Sequence, residues 1–145
     1  YTSLRLNPDP RLQDLMPLFR KVDDRLYECP FAHVELLPGG VVRVCVKEDV
    51  EVTGEQMEAL MGFAEELTPH ERVPLLVDRR NRYSLTFEAQ THLMREAQVA
   101  AAAYVSGNTD LAALVGQTYL RKVPVRVFTD AHSAVEWLRS QVEGE

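Results

Sequence analysis

Apolar and polar residues repeat with two different periods along this chain, and the changes of period predict an α/β fold. Short runs rich in β-branched and apolar residues predict five strands, at residues 31–37, 41–46, 73–77, 99–105 and 125–128. Segments with the spacing of amphipathic helices follow them. The order ββαβαβαβα predicts a single mostly parallel five-stranded sheet with helices on both faces and an antiparallel edge strand from the first hairpin.

The first predicted helix has the clearest boundaries. Thr53-Gly54-Glu55-Gln56 fits a capping box, in which the threonine and glutamine side chains bond to each other's backbone N–H groups. Pro69 ends the helix. The residues expected to face the core recur at helical spacing: Met57, Leu60, Met61, Ala64 and Leu67.

Three further helices are predicted to begin at Thr86, Thr109 and Asp130, which are residue types that cap helices. The second helix is expected to bury Ala89, Leu93, Met94 and Ala97, and the last helix to bury Trp137 as a core anchor. Residues 99–105 are rich in alanine, the best helix former. A buried strand is nevertheless predicted there, because a continued helix would remove a strand from the sheet.

The first thirty residues stand outside this alternation. Apolar residues at helical spacing, interrupted by Pro17 and ended by Pro30, predict an N-terminal helical extension (residues 1–30) with a helix at 17–27. An α/β domain then occupies residues 31–145. Either the chain's own sheet or a second subunit covers the apolar face of this helix, so a homodimer through the helix remains open.

Composition and charge exclude several classes of protein. The chain has 145 residues, of which 46% are hydrophobic and 26% are charged, as in a globular domain with one core. Its net charge of −6 arises in residues 47–71, which hold eight acidic residues and one lysine. This segment is either a solvated face or an acidic docking surface. Without a basic stripe, or an apolar run of roughly 18–20 residues, the sequence predicts neither nucleic-acid nor membrane binding.

Candidate chemistry is concentrated in the loop after the third strand. In a parallel sheet the carboxyl ends of strands and the starts of helices share one edge, so this loop is expected to be accessible there. Its guanidinium groups near a helix start favour a phosphate-bearing ligand or an acidic peptide. The alternative is that the arginines pair with neighbouring carboxylates. The candidate partner-binding or anion-binding residues are Asp78, Arg79, Arg80, Arg82, Ser84 and Thr86.

No catalytic or cofactor-binding pattern is present. The four histidines lie at no metal-ligand spacing, and nucleophile-elbow, phosphate-loop and dinucleotide glycine patterns are missing. The sequence therefore predicts a protein that is not an enzyme and that needs no metal or cofactor. Cys29 and Cys45 lie beside apolar residues, which is typical of packed thiols in a reducing cytoplasm.

Two segments resemble the STAS and SpoIIAA-like superfamily: Val-Pro-Leu-Leu-Val-Asp at 73–78 and Val-Arg-Val-Phe-Thr-Asp-Ala-His-Ser-Ala-Val-Glu-Trp-Leu at 125–138. The resemblance extends over about residues 31–142 and implies the strand at 99–105. It also implies a non-catalytic, cytoplasmic regulatory module that binds another protein, such as a kinase or a sensor.

The resemblance also names a candidate modification site. Classical members are anti-sigma-factor antagonists that are phosphorylated on a serine in an Asp-Ser pair at the start of the second helix. Leu85-Thr86 stands at this place, so Thr86 is the candidate phosphorylation site. Because Leu85 replaces the acidic residue, classical phosphoswitching is not expected.

An alternative function is a sensor that binds a small anionic or apolar ligand, with the arginine loop at its mouth. The superfamily's other relatives resemble CRAL-TRIO lipid-transfer domains, which hold an apolar ligand beneath the sheet. A large lipid cavity is not expected in a chain of this length.

Overall fold

A mixed sheet forms the centre of the computed structural model, which describes residues 19–94, 99–106 and 123–143. The strands are β1 (Arg20–Lys21), β2 (Leu26–Cys29), β3 (Ala32–Leu36), β4 (Val42–Val46), β5 (Val50–Val52), β6 (Val73–Asp78), β7 (Tyr83–Leu85), β8 (Val99–Val105) and β9 (Val125–Phe128). The helices are α1 (Gly54–Leu67), α2 (Phe87–Met94) and α3 (Ala131–Glu143). A 3₁₀ turn, Pro38–Gly40, joins β3 to β4.

Seven of the described strands form the main sheet, in the order β1-β2-β3-β4-β6-β8-β9. Neighbours from β1 to β4 are antiparallel, whereas β4, β6, β8 and β9 are parallel. The α/β class and the five predicted strands are confirmed as β3, β4, β6, β8 and β9. The predicted number of strands is wrong, because β1 and β2 extend the hairpin edge and β5 and β7 form a second, two-stranded sheet. The main sheet is also mixed rather than mostly parallel, because β1 and β2 add antiparallel neighbours.

The predicted helix at 17–27 is wrong over the described residues 19–27. This segment forms β1, a turn at Asp23, and the start of β2, which pairs with the edge of β3. Pairing satisfies the backbone groups of that edge, and the Phe19 and Tyr27 rings pack on Phe63 of α1 at 4.3 and 5.0 Å between centroids. These contacts within the same chain favour strands over the helix that the apolar spacing predicts. Residues 1–18 lie outside the described ranges.

The alanine-rich segment 99–105 is the strand β8, as predicted. It lies between β6 and β9, and Ala101, Ala102 and Ala103 are fully buried. Their small side chains let helices approach both faces of the sheet at this point. Burial between two layers therefore outweighs the helical propensity of alanine.

Two apolar layers pack on opposite faces of the sheet. Leu75 contacts the layer formed with α1 and α2, whereas the next residue, Leu76, contacts the layer formed with α3. Leu138 and Ala134 of α3 are fully buried in this second layer. Trp137 is only half-buried at the edge of this layer, and its ring centroid lies 5.7 Å from that of Phe128. The prediction of Trp137 as the core anchor is therefore wrong, and Leu138 has that role.

The described helix starts are capped as predicted. Thr53 and Gln56 form the complete capping box of α1. The Ala89 N–H donates to Thr86 Oγ1 at 3.2 Å, and the Ser133 N–H donates to Asp130 Oδ1 at 2.8 Å. Ala89 is buried as predicted. The predicted helix at Thr109 and the predicted burial of Leu93, Met94 and Ala97 lie outside the residues and side chains that the structure describes.

Candidate functional site

The loops at the carboxyl edge of the parallel strands are tied together by main-chain hydrogen bonds. β5 follows the loop after β4, and β7 follows the loop after β6; the two pair in parallel, with Val50 opposite Tyr83 and Val52 opposite Leu85. The Asp49 N–H donates to the Arg82 carbonyl at 2.7 Å. Two matching triplets, Val-Glu-Val and Tyr-Ser-Leu, are the alternating signal that could have revealed this ladder.

Asp78 is a buried carboxylate that lies between two guanidinium groups. Arg43 donates to Asp78 Oδ2 from Nε at 3.1 Å and from Nη2 at 2.8 Å. Arg80 donates to the same oxygen from Nε at 3.0 Å and from Nη2 at 2.7 Å, and its backbone N–H donates to Oδ1 at 3.1 Å. Arg43 also donates to Glu35 at 3.2 Å, so a partly buried chain of ion pairs runs across β3, β4 and β6.

These contacts set the ionisation of Asp78. Burial by itself would raise the pKa of the carboxyl group, but the hydrogen bonds and charges of Arg80 and Arg43 outweigh it and hold the pKa below its ordinary value. Arg43 is 16% exposed and Asp78 is 9% exposed. Asp78 therefore acts as the structural counter-ion of Arg43, a residue that the sequence analysis did not single out.

The three loop arginines do not converge on one point. Arg80 pairs with Asp78, and Arg82 pairs with Glu48 and Asp49 at 3.7 and 4.0 Å. The Arg79 guanidinium lies over the Tyr83 ring, 4.9 Å from its centroid. Arg80 and Arg82 therefore follow the ion-pair alternative, and the described contacts assemble no shared anion cradle.

Ser84 and Thr86 have different environments, although both were predicted to belong to the site. Thr86 accepts the hydrogen bond that caps α2, and its own N–H donates to the Val52 carbonyl at 2.9 Å. Ser84 is exposed on β7, and Glu51 lies opposite it on β5. Thr86 thus has a structural role at the start of α2, whereas Ser84 belongs to the surface.

The first residue of α2, Phe87, is 78% exposed. Phe87 was not among the predicted site residues, although an apolar residue that follows the predicted cap and lies off the apolar stripe of Ala89 is a signal of exposure. Gly54 lies so close to α2 that a Cβ atom added there would be 2.8 Å from Glu88 Cβ, so the starts of α1 and α2 adjoin. We name the Phe87 surface by its exposed residues: Glu51, Glu55, Arg82, Ser84, Phe87 and Glu88.

A cavity of about 50 Å³ lies between the sheet and α1. It is smaller than the roughly 150 Å³ that holds benzene in an engineered apolar site, so it suits a ligand of only a few atoms. Arg79, Tyr83 and Tyr104 are its polar or amphipathic residues. The other described residues that line it are aliphatic or thioether side chains: Val44, Val46, Met57, Leu60, Met61, Leu75, Val77 and Leu85.

Both cysteines are buried free thiols, as predicted. Burial raises the pKa of Cys29 and of Cys45, which lowers the reactive thiolate fraction. No group of three or more potential metal ligands occurs within the described residues. No described helix has the length and apolar character needed to cross a membrane.

Comparison with known proteins identifies the family of this chain. The model of DUF7793, a domain of unknown function, matches residues 36–142, which include the strands from β4 to β9, the described helices α1 and α2, and all of α3 except its last residue. The chain belongs to the DUF7793 family. The Phe87 surface and the Asp78 ion pairs lie within the DUF7793 domain. No curated protein matches the chain.

The fold of this DUF7793 protein is SpoIIAA-like. It is similar to the crystal structure of an uncharacterized protein of the DUF3478 family with a SpoIIAA-like fold, from Shewanella loihica PV-4. The two share 16% sequence identity with a TM-score of 0.51, and the match covers 74% of this chain and 91% of the other. This likeness confirms the expected SpoIIAA-like fold. Because one fold can carry many unrelated functions, the function has to be inferred from the residues of the site.

Proposed function

We propose that this DUF7793 protein is a non-catalytic regulatory module that works in the cytoplasm by binding another protein, such as a kinase or a sensor. The SpoIIAA-like fold supports a STAS-like module of this kind. The binding site that we assign is the Phe87 surface, at the edge where β7 leads into α2.

The exposure of Phe87 carries this proposal. Leaving an aromatic side chain in water forgoes the roughly 1.5–3 kcal/mol that its burial would contribute. Aromatic residues at the centre of an interface often contribute much of the binding energy. Arg82 and Ser84 supply exposed polar groups on the same surface, as is usual for the rim of an interface.

The placement of the main polar groups supports a binding role rather than catalysis. Asp78 is held by two arginines, and Thr86 caps α2, so neither side chain is positioned as an activated nucleophile or base. Ordinary packing and helix capping account for these groups. We therefore assign the protein a role in recognising a partner.

Phe87→Ala is expected to weaken partner binding at least about 30-fold and to leave the melting temperature unchanged, because the ring contacts solvent in the free protein. Proteins captured from a lysate of the host organism by the wild type are identified by quantitative mass spectrometry. The affinity of the purified partner is then measured for both forms.

The matched control is Val22→Ala. Val22 is also an exposed apolar residue, at 50% exposure, but it follows β1 at the opposite end of the sheet. This variant is expected to retain the captured partner. Equal capture by the wild type and Phe87→Ala would exclude the Phe87 surface as the binding site.

The cavity supports a second candidate function, the sensing of a small carboxylate. Arg79 is the cationic residue among its described lining residues, and an aliphatic tail would contact the remaining wall. Propionate or butyrate at about ten times its Kd is expected to raise the melting temperature by about 3–5 °C. Arg79→Gln should abolish this shift, and a wild-type protein that shows none would contradict the ligand hypothesis.

A further inference from the structure

We propose that the partner of the Phe87 surface presents an apolar pocket surrounded by lysine and arginine side chains. This inference rests on the proposed function and adds the chemistry of the partner. Phe87 is the protruding apolar group, so the partner must supply the concave apolar part. The charges around the ring determine what surrounds that pocket.

The Phe87 surface as defined above carries three acidic residues and one basic residue. Glu88 is the next residue of α2, and Glu55 belongs to the first turn of α1, which adjoins α2 through Gly54. Glu51 lies opposite Ser84 in the β5-β7 ladder. All three glutamates are exposed, so the surface that carries Phe87 is rich in carboxylates.

The helix dipole explains only part of this acidic pattern. A carboxylate in the first turn of a helix interacts favourably with its dipole, which accounts for Glu55 and Glu88. Glu51 lies in a strand and gains nothing from a helix dipole. The only guanidinium of the Phe87 surface, that of Arg82, pairs with Glu48 and Asp49 rather than with Glu51 or Glu88.

This charge selects one class of partner over others. Carboxylates around the aromatic ring attract lysine and arginine side chains and accelerate association with a basic protein surface. They repel the phosphates of nucleic acids and anionic lipid headgroups. A second copy of this chain would present the same acidic surface, and like charges would oppose a symmetric contact.

The test places a photoreactive group at the position of the ring. Phe87 is replaced by p-benzoylphenylalanine, a close aromatic analogue, and the full chain is irradiated in a lysate of its host. Mass spectrometry then identifies the crosslinked peptide. Val22 replaced by the same group reports non-specific crosslinking.

Two double variants, in each of which two carboxylates are replaced by amides, measure the contribution of charge to binding. Glu51→Gln with Glu88→Gln, in the photoreactive protein, is expected to lower the crosslinking yield about 3- to 10-fold at low salt and less at 0.5 M salt. Asp24→Asn with Glu71→Gln is the matched control. Both of its positions are exposed, and they precede β2 and β6 at the opposite end of the sheet.

A crosslinked peptide that is rich in lysine and arginine, with a yield that depends on Glu51 and Glu88, supports the proposal. A neutral or acidic peptide, a second copy of this chain, or a yield that neutralisation leaves unchanged overturns it. The proposed function survives a neutral or acidic partner protein. A nucleic acid or lipid adduct, or no crosslinking above the Val22 background, overturns both.

Discussion

Asp78→Asn is expected to lower the free energy of unfolding by about 2–4 kcal/mol at neutral pH. The substitution keeps the size of the side chain but removes the negative charge that two guanidinium groups share. Arg43 is largely buried, so it would lose its main counter-ion without gaining water in exchange. Urea denaturation followed by circular dichroism measures this loss.

Arg80→Gln is the matched control for Asp78→Asn. It also breaks one ion pair, but the Arg80 side chain is 63% exposed, so the expected loss is below about 1 kcal/mol. Two equal losses would show that the burial of Arg43 does not determine the cost. A loss below about 0.5 kcal/mol for Asp78→Asn would contradict the buried ion pair itself.

The effect of Asp78 depends on pH in a defined direction. Its pKa is lower in the folded protein than in the unfolded chain, so its contribution to stability is present above the ordinary aspartate pKa. The contribution decreases as the pH falls through the folded-state pKa. The difference in stability between the wild type and Asp78→Asn should therefore shrink below roughly pH 4.

Leu138→Ala is expected to destabilise the protein by about 3–4 kcal/mol. Leu138 is fully buried where α3 packs on the second face of the sheet. Truncation removes buried methyl groups and leaves a cavity between α3 and β8, which rigid strands cannot fill. Thermal and urea unfolding of the purified variant measure the loss.

Two comparisons give this prediction its controls. Leu138→Met keeps most of the volume and is expected to cost less than about 1.5 kcal/mol. Trp137→Ala removes a larger side chain, but one that is only half-buried, so its cost per atom removed should be smaller. A larger loss per atom for Trp137→Ala would mean that Trp137 anchors the layer after all.

The parts of the fold that could be predicted are those in which local pattern and tertiary packing agree. The run at 73–77 is apolar on both faces, and helices cover both faces of the sheet there. The Thr53 side chain caps α1 through the capping box that its local sequence predicts. Residues 19–27 could not be predicted in the same way. Their spacing suits a helix, but the open edge of β3 and the ring of Phe63 provide a competing set of partners.

The candidate site was predictable in its position but not in its detail. The loop after β6 lies at the carboxyl edge, as parallel topology requires. The partners of its arginines depend on Arg43 and on the loop after β4, which are distant in sequence, so no local pattern could specify them. Phe87 was missed because periodicity identifies the side chains that are buried and says nothing of one that points outward.

The β5-β7 ladder has a consequence for the evolution of this scaffold. It holds the start of α2 through peptide groups, which every non-proline residue possesses, rather than through particular side chains. Outward positions such as Glu51 and Ser84 can therefore change with little loss of stability. Duplicated copies of such a gene can diverge in what they recognise while the framework beneath stays the same.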